Sequence, residues 1–469
     1  MKTLILKSLL MLSLFFAQVV FGVENIKTAA SRPYALMLEE GVIRMAVPYE
    51  RVVYVDARGK NLGGADDIAE TLGEFLSNKY KKKIRVQVVP VVTGKLIDSL
   101  RSGQADFGLV FNNEYDVQIR SANYLKYSHP HLEKDVLVSR KDARPVSSLK
   151  ELSGETVCVG RLKESDIFNK VNQSLTKDGK AAIQLYRDRH ILDDVDFLQM
   201  LDAGLIQYAF VSDWKAKLWS SVFTNIKINE ETSTPGGSPG DVIVKPEHKQ
   251  LAEDILIYAS SPYIEKALTH YRQKDFLVRK HALKNPTKPL EWSRFLSMRN
   301  YFKQYGEDYH LDPLFLAGLG FQESMLNQSA MSPSGAIGVM QLLPSTGNSL
   351  KVGDIRQLEP NIHAGAKYIN SLLYGMSLEG DISQEERSFF AVAAYNAGPN
   401  HISKARELAM KMGFDPNKWF LNVEMTTAKL FGEQTFLYVR NVYKYFVTYD
   451  LKQRNEGIGS ATFTQILRK

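Results

Sequence analysis

Short apolar runs alternate with helical patterns over residues 41–258. Apolar residues recur at helical spacing over 64–78 and 94–102. Strands are predicted at 42–47, 84–89, 106–110, 156–159, 208–211 and 242–244. This alternation is typical of α/β folds with mainly parallel strands. Because a second set of strands repeats the first and a last strand returns, we expect two hinged lobes. The Gly- and Pro-rich stretch 232–240 predicts a loop.

The pattern changes after the sequence NPTKP at 285–289, which breaks helices and indicates a domain boundary. Only helical patterns follow. Asp312 and Pro313 form a helix start, SQEE at 383–386 is a capping-box pattern, and Gly413 ends a helix. We expect an α/β domain over 40–262, a linker over 263–291, an all-α domain over 292–452 and a tail over 453–469.

The first 22 residues have the features of a secretory signal peptide. Lys2 and Lys7 precede an apolar run at 9–20, which is short for a membrane span, and Gly22 offers a cleavage site. The alternative is an uncleaved N-terminal anchor. No cysteine follows the run, so a lipid-anchored form is not expected. The predicted location is the periplasm.

Composition excludes several classes of protein. The single cysteine, Cys158, lies in a predicted strand and has no partner for an internal disulfide. The net charge of +7 is modest for 469 residues and does not predict nucleic-acid binding. The histidines are scattered without metal-ligand spacing, so neither a metal nor another cofactor is expected.

Four motifs in the all-α region carry the candidate chemistry: FQES at 321–324, SPSGAIGVMQLLP at 332–344, AAYNAGP at 393–399 and EQTFLYV at 433–439. Glu323 ends a predicted apolar helix at 313–324. Apolar neighbours and a helix C-terminus both disfavour a charged carboxylate, so they raise its pKa towards that of a general acid. Judged from this helix alone, the alternative is that Glu323 is an ordinary solvated glutamate at a helix end.

In this order the motifs resemble the lytic transglycosylases with a lysozyme-like fold. Together with MGFDPNKW at 412–419, the arrangement resembles the membrane-bound lytic murein transglycosylase F type, which fuses a solute-binding domain to the catalytic one. The resemblance implies one catalytic residue, Glu323. It would protonate the bond between N-acetylmuramic acid and N-acetylglucosamine and then accept the C6 hydroxyl proton, which closes a 1,6-anhydro ring without water.

The resemblance also implies substrate-binding roles for Ser332, Ser334, Met340, Gln341, Tyr395, Asn396 and Tyr438. Two alternatives stay open: the small residues of the 332–338 stretch serve turn geometry alone, and Met340 fills the core. The sequence departs from the family at Gln434, where a glutamate often stands four residues before the tyrosine. Either the glutamine fills this role or the adjacent Glu433 does, and we assign Gln434 no catalytic role.

The N-terminal region resembles the amino-acid-binding family of solute-binding proteins. The resemblance rests on GVIRMAV at 41–47, GADDIA at 64–69, LRSGQAD at 100–106, LKELSG at 149–154, and LDAG at 201–204 followed by AFVSD at 209–213. It implies two lobes that close on a small ligand. Arg120 and Asp213 are the candidate ligand contacts; the alternatives are a surface arginine and an aspartate that caps a helix.

Together these expectations describe a two-lobed periplasmic-binding-protein-like α/β domain followed by an all-α lysozyme-like transglycosylase domain. Its partners would be peptidoglycan glycan strands, a small cell-wall peptide or amino acid at the N-terminal domain, and the inner face of the outer membrane by peripheral association. The rival interpretations are a lysozyme-type hydrolase that uses water and a catalytically silent envelope sensor. The two enzymes differ in whether product ends are anhydro or reducing.

Overall fold

The computed structural model describes residues 32–51, 53–110, 116–128, 134–160, 165–188, 191–235, 241–376 and 380–457. The predicted signal peptide and residues 458–469 of the predicted tail lie outside these ranges. Within them, no helix combines the length and hydropathy that crossing a bilayer requires.

The N-terminal unit is built on two five-stranded sheets and a small hairpin. The strands are β1 (Val42–Pro48), β2 (Asp56–Ala57), β3 (Lys60–Asn61), β4 (Arg85–Val91), β5 (Phe107–Val110), β6 (Leu125–Ser128), β7 (Lys134–Arg140), β8 (Thr156–Val159), β9 (Gln184–Arg187), β10 (Tyr208–Ser212), β11 (Ile226–Pro235) and β12 (Asp241–Val244). The sheet of lobe 1 has the order β4-β1-β5-β12-β6, and that of lobe 2 has the order β11-β7-β10-β8-β9.

The sheet topology confirms the two lobes and the return crossing. Strand β12 follows all the strands of lobe 2, yet it pairs with β5 and β6 of lobe 1. Both sheets are mixed: β1 is parallel to β4 and β5, whereas β12 is antiparallel to its neighbours. In lobe 1 the first strands are thus parallel as expected, and the returning strand is not. In lobe 2, β8 is parallel to β9 and β10, but the first strand, β7, is antiparallel to β10 and β11.

Nine helices of this unit lie within the described residues: α1 (Tyr34–Glu40), α2 (Ala65–Tyr80), α3 (Leu96–Arg101), α4 (Asp116–Ser121), α5 (Ser165–Lys177), α6 (Asp194–Asp202), α7 (Asp213–Trp219), α8 (Lys249–Ala259) and α9 (Pro262–Ala282). Helix α2 buries Ile68, Leu72 and Leu76, whose spacing of four places them on one face. This face packs in the core of lobe 1.

The loop predicted at 232–240 is wrong over its first four residues, which belong to β11. After a register shift, Thr234 pairs with Asp135 and Pro235 with Lys134. Thr232 lies within the register shift, and its hydroxyl accepts a hydrogen bond from the Leu137 N–H at 3.0 Å, in place of a backbone partner. Pairing with a distant strand therefore overrides the local turn preference. Residues 236–240 lie outside the described residues.

The C-terminal region is helical, as predicted. Its helices are α10 (Pro289–Asp308), α11 (Pro313–Ser324), α12 (Pro344–Leu350), α13 (Leu358–Gly375), α14 (Gln384–Ala397), α15 (Pro399–Met412), α16 (Glu424–Phe431) and α17 (Glu433–Asn455). Asp312 caps α11, Ser383 caps α14, and Gly413 ends α15 with φ 82°. Glu386, the expected capping-box partner of Ser383, accepts a hydrogen bond from the Trp419 N–H at 2.7 Å.

The segment 263–291, predicted as a linker, contains most of α9, and this helix packs on both lobes. Its His270 lies 2.5 Å from Asp67 of lobe 1. Nearer its end, Arg279 forms two hydrogen bonds with Asp193 of lobe 2, at 2.7 and 2.9 Å. The helix therefore connects the lobes before the chain enters the C-terminal domain.

The C-terminal domain docks tightly against the N-terminal unit. One continuous apolar core includes Phe197 of lobe 2 and Phe321 of α11. At its edge the Tyr443 hydroxyl donates to Asp188 at 2.7 Å, and Lys429 donates to Asp56 at 2.5 Å. A shared apolar core with polar contacts at its margin is typical of domains held in a fixed arrangement.

Candidate active site

Glu323 lies at the C-terminal end of α11, and the fold holds this end from two sides. Residues 316–321 of the helix are buried. The Ser324 hydroxyl donates to the Val339 carbonyl at 2.9 Å and accepts from the Asn327 N–H at 3.0 Å. Met325 then closes the helix with φ 55°. The serine of the FQES motif thus fixes the position of its glutamate.

The Glu323 carboxyl is partly buried and accepts one hydrogen bond from the side chains that the structure describes. The hydroxyl of Tyr438, on α17, donates to Glu323 Oε1. Burial raises the pKa of Glu323 to about 7, although the Tyr438 hydrogen bond and the charge of Lys284 both lower it. A carboxyl that titrates near neutral pH can serve as an acid in one step and as a base in the next.

The stretch 332–338 forms a turn whose shape depends on its small residues. The Ser332 hydroxyl accepts from the Ala336 N–H at 3.0 Å and lies 2.9 Å from the Ser334 hydroxyl. Gly335 and Gly338 have φ values of 84° and 79°, a region that favours glycine. At Gly338 a Cβ would also collide with the side-chain amide of Asn361. The turn geometry therefore explains the glycines without a substrate, while Ser334 is exposed.

Met340 and Gln341 follow this turn and occupy different environments. Met340 is fully buried and packs against Gly365, where a Cβ would lie only 2.5 Å from its Cγ. It therefore fills the core, which was the alternative left open. The Gln341 amide donates to the carbonyls of Gly338 and Ala330 at 2.9 and 3.2 Å, so it stabilises the loop beside α11.

Asn361 is a supporting residue that the motifs did not reveal. It is fully buried on α13. Its side chain accepts from the Met340 N–H at 2.8 Å and donates to the carbonyls of Ile337 and Ile355, both at 2.9 Å. The sequence signal that could have revealed Asn361 is an asparagine among the apolar positions of a helix, because a buried side-chain amide needs several hydrogen-bond partners.

Tyr395 and Asn396 are held at the C-terminal end of α14. The Tyr395 hydroxyl donates to the Met340 carbonyl at 2.7 Å, and burial with the nearby Glu323 charge raises its pKa. The Asn396 side chain accepts from the Thr435 hydroxyl at 2.8 Å. Gln434, the departure from the family pattern, is exposed, whereas the adjacent Thr435 is buried and makes this contact.

The structure therefore brings Tyr395 and Tyr438 into electrostatic range of Glu323. It places the N-terminal candidates elsewhere. Arg120 is exposed at the end of α4. Asp213 is the first residue of α7, whose N-cap is Ser212, and it pairs with Lys217 at 2.9 Å.

Lys284 is a second residue that sequence reasoning missed. It lies between α9 and α10, outside all four motifs, and its charge acts on Glu323. No three His, Cys, Asp or Glu side chains of the described residues cluster as metal ligands would. Besides burial, the pKa of Glu323 is shifted by Tyr438 and Lys284, and neither of these is a carboxylate. The chemistry of the site therefore centres on one carboxyl group.

Comparison with known families and relatives agrees with this arrangement. Residues 300–417 match the family model described as the transglycosylase SLT domain. A membrane-bound lytic murein transglycosylase F from Pseudomonas putida is 26% identical over 411 residues, which cover 85% of this chain and 80% of the relative. The protein of the same name from Marinobacter nauticus is 24% identical, with 89% and 84% covered.

Solved structures match the N-terminal half. An ancestral arginine-binding protein bound to arginine is 18% identical, with a TM-score of 0.33, and covers 50% of this chain and 97% of its own. A substrate-binding domain of a putative amino acid ABC transporter from Streptococcus pneumoniae is 14% identical, with a TM-score of 0.36 and coverages of 50% and 98%. The motifs and these comparisons agree: the chain carries a transglycosylase SLT domain and is similar over most of its length to membrane-bound lytic murein transglycosylase F.

Proposed function

We propose that this protein cleaves the β-1,4 bond between N-acetylmuramic acid and N-acetylglucosamine in peptidoglycan and leaves 1,6-anhydromuramic acid ends. The observation that carries the proposal is the carboxyl of Glu323, whose pKa is raised to about 7 and which is held by Tyr438, with no second carboxylate among the described groups that shift its pKa. An ordinary glycosidase pairs two carboxylates across the bond. A single carboxyl suits a reaction in which the sugar supplies its own nucleophile.

In the first step, protonated Glu323 donates its proton to the glycosidic oxygen as the bond to C1 of the muramic acid breaks. The substrate's acetamido group stabilises the cation that develops at C1. Because Tyr438 occupies Oε1, we assign the proton transfer to Oε2. A pKa near the ambient pH keeps a useful fraction of the group protonated.

In the second step, the Glu323 carboxylate accepts the proton of the C6 hydroxyl, and the C6 oxygen attacks C1. The new C1–O6 bond closes the anhydro ring, no water is consumed, and Glu323 returns to its protonated form. Because the attacking hydroxyl and C1 belong to the same sugar, the reaction loses no translational or rotational entropy in bringing two molecules together. Tyr395, Asn396 and the exposed Ser334 are proposed to bind the glycan beside Glu323.

Mass spectrometry of the products from purified peptidoglycan tests this proposal. We expect muropeptides with anhydro ends from the wild type and none from Glu323→Gln. Hydrated reducing ends, lost in the same variant, would overturn the transglycosylase mechanism and establish a lysozyme-type hydrolase. Absence of products from both proteins, even after cell-wall fragments are added, would favour the silent sensor.

Tyr438→Phe is expected to lower turnover about tenfold and to raise the pKa of Glu323. A hydrogen bond to a charged group contributes about 1.5–3 kcal/mol, and this one stabilises the carboxylate that acts in the second step. The pH dependence of the turnover rate measures both effects. Tyr374→Phe, which removes the hydroxyl of an exposed tyrosine on α13, is the matched control. A rate and profile equal to those of Tyr374→Phe would show that the hydroxyl has no role.

The N-terminal unit is proposed to bind a small cell-wall peptide or an amino acid, with Asp213 and Arg120 as contacts. Asp213 Oδ1 is buried and has no hydrogen-bond partner among the described residues, so a ligand amine would satisfy it. Isothermal titration of amino acids and muropeptides against wild type, Asp213→Asn and Arg120→Ala tests this assignment. Equal affinities for all three proteins would contradict it.

The relatives named as membrane-bound support a location in the cell envelope. Within it, we propose the periplasm after removal of residues 1–22, with peripheral association at the inner face of the outer membrane. Fractionation of cells that express the full chain, followed by a salt wash of the membranes, checks both points. Protein that stays in the cytoplasm would contradict the location.

A further inference from the structure

Lobe 2 and the C-terminal helices meet around a small cavity of about 10 Å³. Asp196 and Gln199 of α6 line this cavity from lobe 2, and Tyr445 and Thr448 of α17 line it from the C-terminal domain. The segment between α9 and α10 contributes Lys284. The cavity therefore lies where three parts of the chain come together.

Two side chains that line the cavity carry a buried polar atom without a hydrogen-bond partner among the described residues. These atoms are Gln199 Oε1 and the hydroxyl of Tyr445, whose side chain is only 1% exposed. The Gln199 amide nitrogen donates to the Lys284 carbonyl at 2.8 Å, so the oxygen must be the other end of the amide. Because buried polar atoms are nearly always hydrogen-bonded in folded proteins, both atoms need a partner.

The other polar groups around the cavity already have partners but can still accept a hydrogen bond. The Thr448 hydroxyl donates to the Lys444 carbonyl at 2.7 Å and keeps its lone pairs. The Asp196 carboxylate lies 3.5 Å from the Lys444 ammonium. A buried water needs a volume on the order of 10 Å³ and makes about three hydrogen bonds. The cavity meets both requirements.

Tyr449, one turn further along α17, shows what a different setting does to the same group. Its hydroxyl is also buried and without a hydrogen-bond partner among the described residues. Its ring, however, stacks on those of Trp292 and Phe295, at centroid distances of 6.2 and 4.6 Å. Tyr449 is not one of the described residues that line the cavity, so it serves as the matched comparison for Tyr445.

We propose that the cavity binds one water molecule, which accepts a hydrogen bond from the Tyr445 hydroxyl and donates one to Gln199 Oε1. Its second proton is donated to the Thr448 hydroxyl. The water thus joins lobe 2 to the C-terminal domain next to α11, because the Tyr445 ring packs against Phe321 at a centroid distance of 4.7 Å. This binding site is independent of the proposed function, and either can fail without the other.

A high-resolution crystal structure of the full chain tests the site directly. We expect one water molecule at about 2.6–3.2 Å from both the Tyr445 hydroxyl oxygen and Gln199 Oε1. A cavity without water density would overturn the proposal. A direct hydrogen bond between the two side chains would also overturn it.

Tyr445→Phe removes only the hydroxyl and should lower the thermal unfolding midpoint by about 2–4 °C. A water-mediated hydrogen bond is nearly as strong as a direct one, and the variant leaves both the water and Gln199 Oε1 less well satisfied. Tyr449→Phe should leave the midpoint unchanged or raise it, because it removes a buried hydroxyl that has no partner to lose. Equal midpoints for the two variants would contradict a water at Tyr445.

A double-variant comparison tests whether Gln199 and Tyr445 share the same water. Gln199→Met also breaks the hydrogen bond to the Lys284 carbonyl, so only the coupling between the two changes is informative. Combined with Tyr445→Phe, it should lower the midpoint by less than the sum of the two single effects. Combined with Tyr449→Phe, the effects should add. Additive effects in both pairs would overturn the water bridge.

Discussion

Glu323→Gln is expected to reduce turnover of glycan strands by about 10³-fold or more. General acid–base catalysis contributes about 10²–10⁴-fold for one proton transfer, and here the same group acts in both steps. The amide is almost isosteric and still accepts a hydrogen bond from Tyr438, but it can neither donate the proton nor accept it. Release of anhydro-muropeptides over time measures the loss. Gln322→Ala, one residue away, is the control for the local structure.

The same variant is expected to be more stable than the wild type above pH 7. The raised pKa means that folded Glu323 binds its proton to about pH 7, whereas the unfolded chain releases it near the ordinary value of 4.5. Unfolding therefore becomes easier for the wild type as the pH rises from 4.5 to 7. Glutamine does not titrate, so the difference in unfolding free energy should reach about 3 kcal/mol at pH 8.

Urea unfolding at pH 4 and pH 8 measures this difference. We expect the two proteins to be equally stable at pH 4, where Glu323 is protonated in both states, and Glu323→Gln to be the more stable one at pH 8. Equal stability at both values would show that Glu323 has an ordinary pKa. In that case the carboxyl would be largely ionised at neutral pH, and the first step would lack its acid.

Arg440→Met is expected to destabilise the C-terminal domain by about 3–5 kcal/mol, because it leaves the buried Glu424 charge without its partner. Glu424 is completely buried and Arg440 is only 6% exposed. Their two hydrogen bonds measure 2.7 and 3.0 Å, and the guanidinium lies 4.7 Å from the Phe436 ring centroid. The midpoint of urea unfolding at pH 7 measures the effect.

Two controls test whether the effect comes from the buried charge. The double variant Glu424→Gln with Arg440→Met should be more stable than Arg440→Met alone, since no ionised group is then left unpaired. Lys303→Met removes the cation of an exposed pair with Glu307 and should change stability by less than about 1 kcal/mol. If Arg440→Met behaves like Lys303→Met, the ion pair does not stabilise the fold.

The sequence by itself determined the features that rest on short-range interactions. The cap at Asp312, the stop at Gly413 and the helix that ends at Ser324, one residue after Glu323, all depend on neighbours within a few residues, so their patterns were visible in the chain. The order of strands and helices likewise predicted the two lobes. The motif order indicated Glu323 as the candidate acid, because four separate segments resemble one family.

Only the tertiary structure decided what depends on partners far apart in the chain. Met340 belongs to the core because Gly365 lets it approach closely, and Asn361 supports the active-site loop through carbonyls on other segments. The strand β11 extends past Thr232 because Leu137 offers it a partner. Lys284 carries no motif at all. Its backbone is held from lobe 2 by the Gln199 side chain, and a hydrogen bond between residues so far apart in the chain leaves no local pattern in the sequence.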